Sequence, residues 1–110
     1  MGRSPSDLLQ GSVEMLVLRA LAWQPMHGYA IARWIGQRTN DVLAVETAAL
    51  YQALRRSERR RMVSASWGLS ENNRRAKYYE LTQAGKDTLR AEAATWRQYA
   101  SAVSRVLDPA

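Results

Sequence analysis

Apolar positions recur along this chain with two different periods, and the places where the period changes divide it into elements. Val13, Leu16, Val17, Ala20 and Leu21 fall at i, i+3, i+4, i+7 and i+8, one face of a helix. Ser12 is the expected N-cap, and Gln24-Pro25 stops the helix near Trp23, because proline lacks a donor and turns the preceding residue away from α. Met15, Leu18 and Ala22 form a second apolar face on the same helix. A small domain covers one such face itself, so the second calls for a partner, such as another copy of the chain. A second helix is expected from His27 to Arg38, burying Ile31 and Ile35, before a turn at Thr39-Asn40-Asp41. Residues 1 to 7, with their Gly, Ser and Pro, are expected to fray.

A third helix should start near Glu46 or Thr47 and reach about Arg60. Leu50, Ala53 and Leu54 share one side of it, and Gln52, Arg55, Arg56 and Arg59 the other. The period then drops to two, with Val63, Ala65 and Trp67 on one face of a strand spanning Met62 to Trp67. The polar stretch from Gly68 to Ala76 carries turn formers at Asn72 and Asn73, and Lys77 to Leu81 reads as a second strand. Thr82 caps a last helix that reaches about Leu107, where Asp108-Pro109 ends it. Leu89, Trp96 and Val103 recur along it every seven residues with Tyr99 and Val106 between them, the pattern of a coiled-coil seam.

Three helices, a hairpin and a long helix predict a mainly α protein with a small β-hairpin. This is the order of a winged helix-turn-helix (residues 8–81) followed by a C-terminal dimerisation helix (residues 82–107), the two forming one compact unit. Charge then sharpens the picture. Between Arg55 and Lys77 lie eight basic residues (Arg55, Arg56, Arg59, Arg60, Arg61, Arg74, Arg75, Lys77) and two acidic ones (Glu58, Glu71). The difference, six, equals the formal net charge of the whole chain. A basic excess confined to the third helix and the hairpin marks a surface for a polyanion, with nucleic acid the first candidate. In a winged helix the third helix enters the major groove, and the hairpin lies over phosphates or the minor groove.

Other chemistries find little support. With 110 residues and 46% hydrophobic content the chain can fold one core but has little room for an enzyme pocket beside a binding surface. There is no cysteine, hence no disulfide or thiolate metal site, which suits a reducing cytosol. Val13 to Trp23 is broken by Glu14 and Arg19 and is too short for a membrane span, and the polar start is no signal peptide, so a cytoplasmic protein is expected. His27 is the sole histidine, which argues against a zinc site or a nucleophile-histidine pair and for a cap or packing role at the start of the second helix. No cofactor is expected.

The stretches LLQGSVEMLVLRALAWQPMHGYAIARWI, ALYQALRR and NNRRAKYYELTQAG, with the Trp96 region, resemble the PadR family of bacterial transcriptional regulators over about Leu8 to Leu107. The resemblance implies a homodimeric repressor whose C-terminal helix packs on the partner's N-terminal region and whose two third helices read a palindromic site. Met15, Leu18, Leu89, Trp96, Tyr99, Val103 and Val106 are the corresponding interface candidates. The resemblance also implies that paired Trp96 side chains could sandwich a flat aromatic effector. The commoner role for Trp96 is to fill the interface as a large core residue. Trp23, Trp34 and Trp67 are expected to pack.

The family usually has Gly-Ser/Thr-Leu-Tyr-Pro-Ala-Leu where this chain has Ala48-Ala49-Leu50-Tyr51-Gln52-Ala53-Leu54, and three departures bear on the third helix. Gln52 stands where proline is usual, restoring a backbone donor and adding an amide able to read adenine. Ser57 replaces a leucine on the apolar face, so leucine there should refill it. Arg61 replaces the glycine that ends the helix, where a left-handed cap would be strained.

The DNA-facing candidates are therefore Gln52, Arg55 and Arg56 at base edges, with Arg59 and the wing residues Asn73, Arg74, Arg75 and Lys77 on phosphates. Each has a plainer alternative: a solvated charged helix face for the arginines, a polar hairpin tip for the wing. Tyr51 either bonds a phosphate or packs on the wing. Arg60 and Arg61, at the side and end of the helix, stay open. One rival function is a protein-interaction module whose weakened third helix docks acidic partners. Another is an aromatic-ligand sensor with weak DNA binding.

Overall fold

The computed structural model describes residues 4–109. A short 3-10 helix, Pro5–Gly11, precedes α1 (Val13–Trp23), β1 (Met26–His27), α2 (Gly28–Arg38), α3 (Thr47–Arg59), β2 (Val63–Leu69), β3 (Arg75–Leu81) and α4 (Gln83–Leu107). The fold is a winged helix-turn-helix extended by a long C-terminal helix, and the helices begin and end within a residue or so of the positions their periodicity predicts.

α1 lies at the centre, packed against α2, α3, α4 and β3. Val13, Val17, Ala20 and Leu21 face the core with Ile31 and Ile35 of α2, Leu50, Ala53 and Leu54 of α3, and Met62, Val63, Tyr79 and Leu81 of the sheet. Leu18 belongs to this core too: it is fully buried by its own chain, so it offers no surface to a partner. The cause is that α1 packs against α2, α3 and α4; of the rest of its second apolar face Met15 is half-buried and Ala22 exposed.

Three further expectations change. The residues expected to fray include Pro5 and Ser6, which belong to the 3-10 helix. The Ser6 hydroxyl donates to the Val42 carbonyl at 3.2 Å and accepts the Ala44 N–H at 3.1 Å, tying this segment to the loop before α3. Ser12 sits at the N-cap, but its hydroxyl donates back to the Leu9 carbonyl at 3.1 Å and caps no α1 amide. The hairpin is part of a three-stranded antiparallel sheet in the order β1-β3-β2, with Met26 opposite Tyr79 and His27 opposite Tyr78. Two residues between Pro25 and a helix start are too few to show any period, and burial of Met26 against Tyr79 is what holds them.

The wing is longer than its hydrophobic alternation suggests, running in register from Val63↔Leu81 to Leu69↔Arg75. The Tyr78 hydroxyl donates to the Leu69 carbonyl at 2.9 Å and secures the distal end. Asn73 takes the left-handed conformation in the tip (φ 60°), one that asparagine tolerates.

Thr82 caps α4, its hydroxyl accepting the Gly85 N–H at 3.1 Å. Gly85 is obligatory, since a Cβ there would overlap the Met62 carbonyl oxygen and lie 2.7 Å from Leu81 Cδ1. Beyond that anchor α4 extends away from the body, and the radius of gyration is 15.3 Å. About 13 Å is usual for a compact chain of this length.

Candidate nucleic-acid interface

α3 presents its surface through what it buries. Leu50, Ala53, Leu54 and Ser57 are enclosed. Directly opposite stand Ala48, Gln52, Arg55 and Arg59, all exposed, at i, i+4, i+7 and i+11. Gln52, Arg55 and Arg59 are thus brought onto one outward stripe. Ala48 joins them; it is not among the DNA-facing candidates read from the sequence because alanine carries no polar group, although a methyl can meet a thymine methyl.

Arg56, expected among the base readers, lies on the flank of this stripe toward α1. Its Nε is 3.5 Å from Glu14 Oε2, and Arg60 Nη1 is 3.6 Å from Glu14 Oε1. On the opposite flank Tyr51 lies across the start of α2, so close that a Cβ on Gly28 would be 2.5 Å from its hydroxyl oxygen. Gly28 has to be glycine for the tyrosine to lie there.

Between the wing, α2 and Tyr51 opens a groove of about 610 Å³, lined by Tyr29, Arg33, Trp67, Arg74 and Arg75 among others. Tyr29 and Arg33 are missed by the search for an apolar stripe on α2, yet their i, i+4 spacing opposite Ile31 and Ile35 could have found them. The Arg33 guanidinium lies 5.8 Å from the Tyr29 ring centre. Trp67, expected to pack, is 59% exposed because its strand has run past the edge of the core. It carries the Arg75 guanidinium over its ring at 4.6 Å, which stiffens a cation at the groove.

Arg74, Arg75 and Asn73 are exposed on the wing. Lys77 is different. Its Nζ is 3.1 Å from Glu58 Oε1 on α3, and that hydrogen bond raises its pKa against a smaller opposing effect of burial. It is therefore charged at neutral pH but engaged in bracing the wing against α3. The neighbouring Tyr79 phenol has its pKa raised by burial, partly offset by the Lys77 charge.

His27 caps α2, its Nδ1 accepting the Ala30 N–H at 3.2 Å, and its ring meets Tyr78 edge-on at 5.4 Å. Trp23, another tryptophan expected to pack, is 59% exposed at the end of α1, where it stacks on Trp34 at 6.4 Å.

A second surface lies on α4. Trp96, Tyr99 and Val106 are 49%, 61% and 84% exposed, Val103 is half-buried, and Leu89 packs on the core from its edge. Met15, Leu8, Trp96 and Tyr99 border a concavity of about 570 Å³ between α4 and the N-terminal helices. Among the described residues no helix is long and apolar enough to cross a membrane.

A helix with an outward amide-and-arginine stripe, flanked by a cationic wing, defines a winged helix-turn-helix DNA-binding protein. Residues 17–91 match the model of the transcriptional regulator PadR-like family. The chain belongs to that family, whose members are DNA-binding transcriptional regulators and not enzymes. An uncharacterised protein of Lysinibacillus sphaericus is 28% identical over 103 residues, 94% of this chain and 91% of that one. A PadR family transcriptional regulator from Eggerthella lenta is 28% identical with a TM-score of 0.78, covering 94% of this chain and 88% of that one. A transcriptional regulator from Clostridium thermocellum shares the fold with a TM-score of 0.84 at 23% identity, over 94% of this chain and 100% of that one.

Proposed function

We propose that the protein is a homodimeric repressor that reads a palindromic operator. The observation that carries this is the stripe of Ala48, Gln52, Arg55 and Arg59, exposed opposite a fully buried face of α3. In this reading residues 8–81 meet DNA, and residues 82–107 join the two copies. Gln52, Arg55 and Arg59 approach base edges, where a bidentate contact discriminates by about 1–3 kcal/mol. Arg33, Asn73, Arg74, Arg75 and the Tyr51 hydroxyl take phosphates of the strand that runs through the groove.

Dimerisation is supported by the seam of exposed Trp96, Tyr99 and Val106 with half-buried Val103, more aromatic and aliphatic surface than a lone helix keeps in water. Two α3 stripes related by a two-fold axis require half-sites about 10–10.5 base pairs apart, or a multiple of that. Repression follows if such a dimer occupies a promoter.

Selection of bound duplexes from a random pool tests the reading. Recovered sites should be palindromes with that spacing, and affinity for them should fall about 10³–10⁵-fold between 50 and 200 mM salt if six to ten phosphates are neutralised. Equal binding to all sequences would favour a protein-interaction module or a non-specific coat.

A second reading concerns the concavity beside Trp96 and Tyr99, whose rings are 5.9 Å apart. A flat aromatic effector bound there would contact the seam, and would alter half-site spacing only by binding two dimer arrangements unequally. Quenching of tryptophan fluorescence by planar aromatic compounds, absent in Trp96→Leu, is the expected signature.

A further inference from the structure

Glu14 stands in the first turn of α1 with its side chain 18% exposed, facing three groups of α3. Oε2 lies 3.5 Å from Arg56 Nε, Oε1 lies 3.6 Å from Arg60 Nη1, and the fully buried Ser57 places its hydroxyl 3.5 Å from Oε1. On the other flank of α3, Glu58 holds Lys77. Among the described residues Arg55 and Arg59, between the two flanks, have no acidic partner.

We propose that Glu14 is a positioning residue that decides which guanidinium groups of α3 meet DNA. It keeps Arg56 and Arg60 against α1 and leaves Arg55 and Arg59 as the readers. This rests on the DNA-binding function proposed above.

Each pair taken singly is weak, because both guanidinium groups touch water. What matters is that the carboxylate cannot leave. It is fixed to α1 between the buried Val13 and Val17, whereas the arginines are long and mobile. A stationary negative charge within 4 Å of two flexible cations lowers what they offer a polyanion, whether or not a pair is closed at any instant. Unheld, Arg56 and Arg60 would reach phosphates of any duplex, which is the sequence-independent part of binding. Specificity is a ratio of affinities, so restraining that part improves selectivity without adding a contact to the operator.

The test is a salt titration of the full-length protein on its selected palindrome and on random duplex, with Arg55→Gln as reference. Glu14→Gln keeps the size of the side chain and its capacity to accept from Ser57 while removing the charge. Its plot of log affinity against log salt should steepen by about 0.9, the worth of one more neutralised phosphate. That is a further three- to fourfold loss between 50 and 200 mM salt by the same slope, roughly. Random duplex should bind more tightly at low salt, and the ratio of specific to random binding should fall. Adding Arg56→Gln and Arg60→Gln to Glu14→Gln should remove the excess slope.

An unchanged slope and ratio in Glu14→Gln, with Arg55→Gln lowering the ratio, overturns the role of Glu14 and leaves DNA binding intact. Absence of salt-dependent DNA binding in the unaltered protein overturns both. Should Glu14→Gln fail to fold, the pair Arg56→Gln/Arg60→Gln decides. It should flatten the slope less than the wing pair Arg74→Gln/Arg75→Gln does, and equal flattening counts against the proposal.

Discussion

α3 and α4 each carry an apolar stripe opposite a polar one, and they differ in what covers the apolar side. On α3 the chain covers it completely: Leu50, Ala53, Leu54 and Ser57 keep at most 2% of their surface. On α4, 25 residues long, only Gly85 is buried, and Tyr99 and Val106 keep most of their surface. Where the stripe is covered, only the opposite side is left to meet another molecule. An uncovered one is itself the working surface, because apolar area left in water is stabilised by whatever buries it. The same pattern of residues therefore leaves a charged side free on one helix, the one proposed for DNA, and an apolar side free on the other, the one proposed for a second copy.

The strongest way to break this contrast is to charge the uncovered stripe. Tyr99→Asp with Val103→Asp should weaken self-association by at least about 2 kcal/mol, roughly thirtyfold, since truncating central interface side chains commonly costs that much. Sedimentation should then show a species near the 12.4 kDa chain mass, with far-UV dichroism unchanged. An unaltered dimer would mean that the seam is not where the copies meet. Arg55→Ala with Arg59→Ala strikes the other helix. It should cost about 1–3 kcal/mol for each base edge no longer read and lower the preference for the palindrome over random duplex. The dimer mass should stay as it was.

Most of the frame is legible in the residues because the main elements announce themselves by period and by caps. Ser12, Thr82, Gln24-Pro25 and Asp108-Pro109 place helix ends within a residue or so. What escapes is anything decided by a neighbour distant in sequence. β1 exists because Tyr78 and Tyr79 come alongside Met26 and His27. Leu18 looks available to a partner until α1 is seen packed on several sides. On α3 the sequence places Gln52, Arg55 and Arg59 on one outward stripe through opposition to the apolar side, a local property. It cannot separate Arg56 and Lys77 from them, because Glu14 lies forty-two residues before Arg56, and Glu58 meets Lys77 only when the wing folds back. Nor does a wheel show that Trp67 has passed beyond the core.

A finer contrast concerns how the two helices stop and start. Thr82 gives α4 a hydroxyl cap, whereas α3 ends in a left-handed residue that is not glycine. Arg61 has φ 61°, its N–H donating to the Glu58 carbonyl at 3.0 Å while the Met62 N–H reaches the Ser57 carbonyl at 2.9 Å. Both bonds of a Schellman ending are present, on a residue whose Cβ makes the conformation costly. Arg61→Gly should stabilise the protein by about 1 kcal/mol, raising Tm by roughly 4–8 °C in a calorimetric scan. No gain would mean that the arginine stem recovers elsewhere what its backbone loses.

The smallest expected effect belongs to Ser57, the one polar residue in the covered stripe of α3. Leucine there would add apolar volume beside Leu50 and Leu54, worth about 1.5–3 kcal/mol if fully accommodated. Against this stand the removal of the hydroxyl bond to Glu14 and the strain of fitting a larger side chain. That bond is 3.5 Å long, at the outer limit for a hydrogen bond, so removing it costs little. Overpacking costs about 1–3 kcal/mol when neighbours cannot move. Here the neighbour on the solvent side is Glu14, whose flexible stem can give way while its carboxylate stays near Arg56 and Arg60. The balance favours a net gain below about 1 kcal/mol and a Tm rise of a few degrees. A fall in Tm would show that the serine is as tightly enclosed as any leucine on the stripe, and that the covered side of α3 has no slack left to fill.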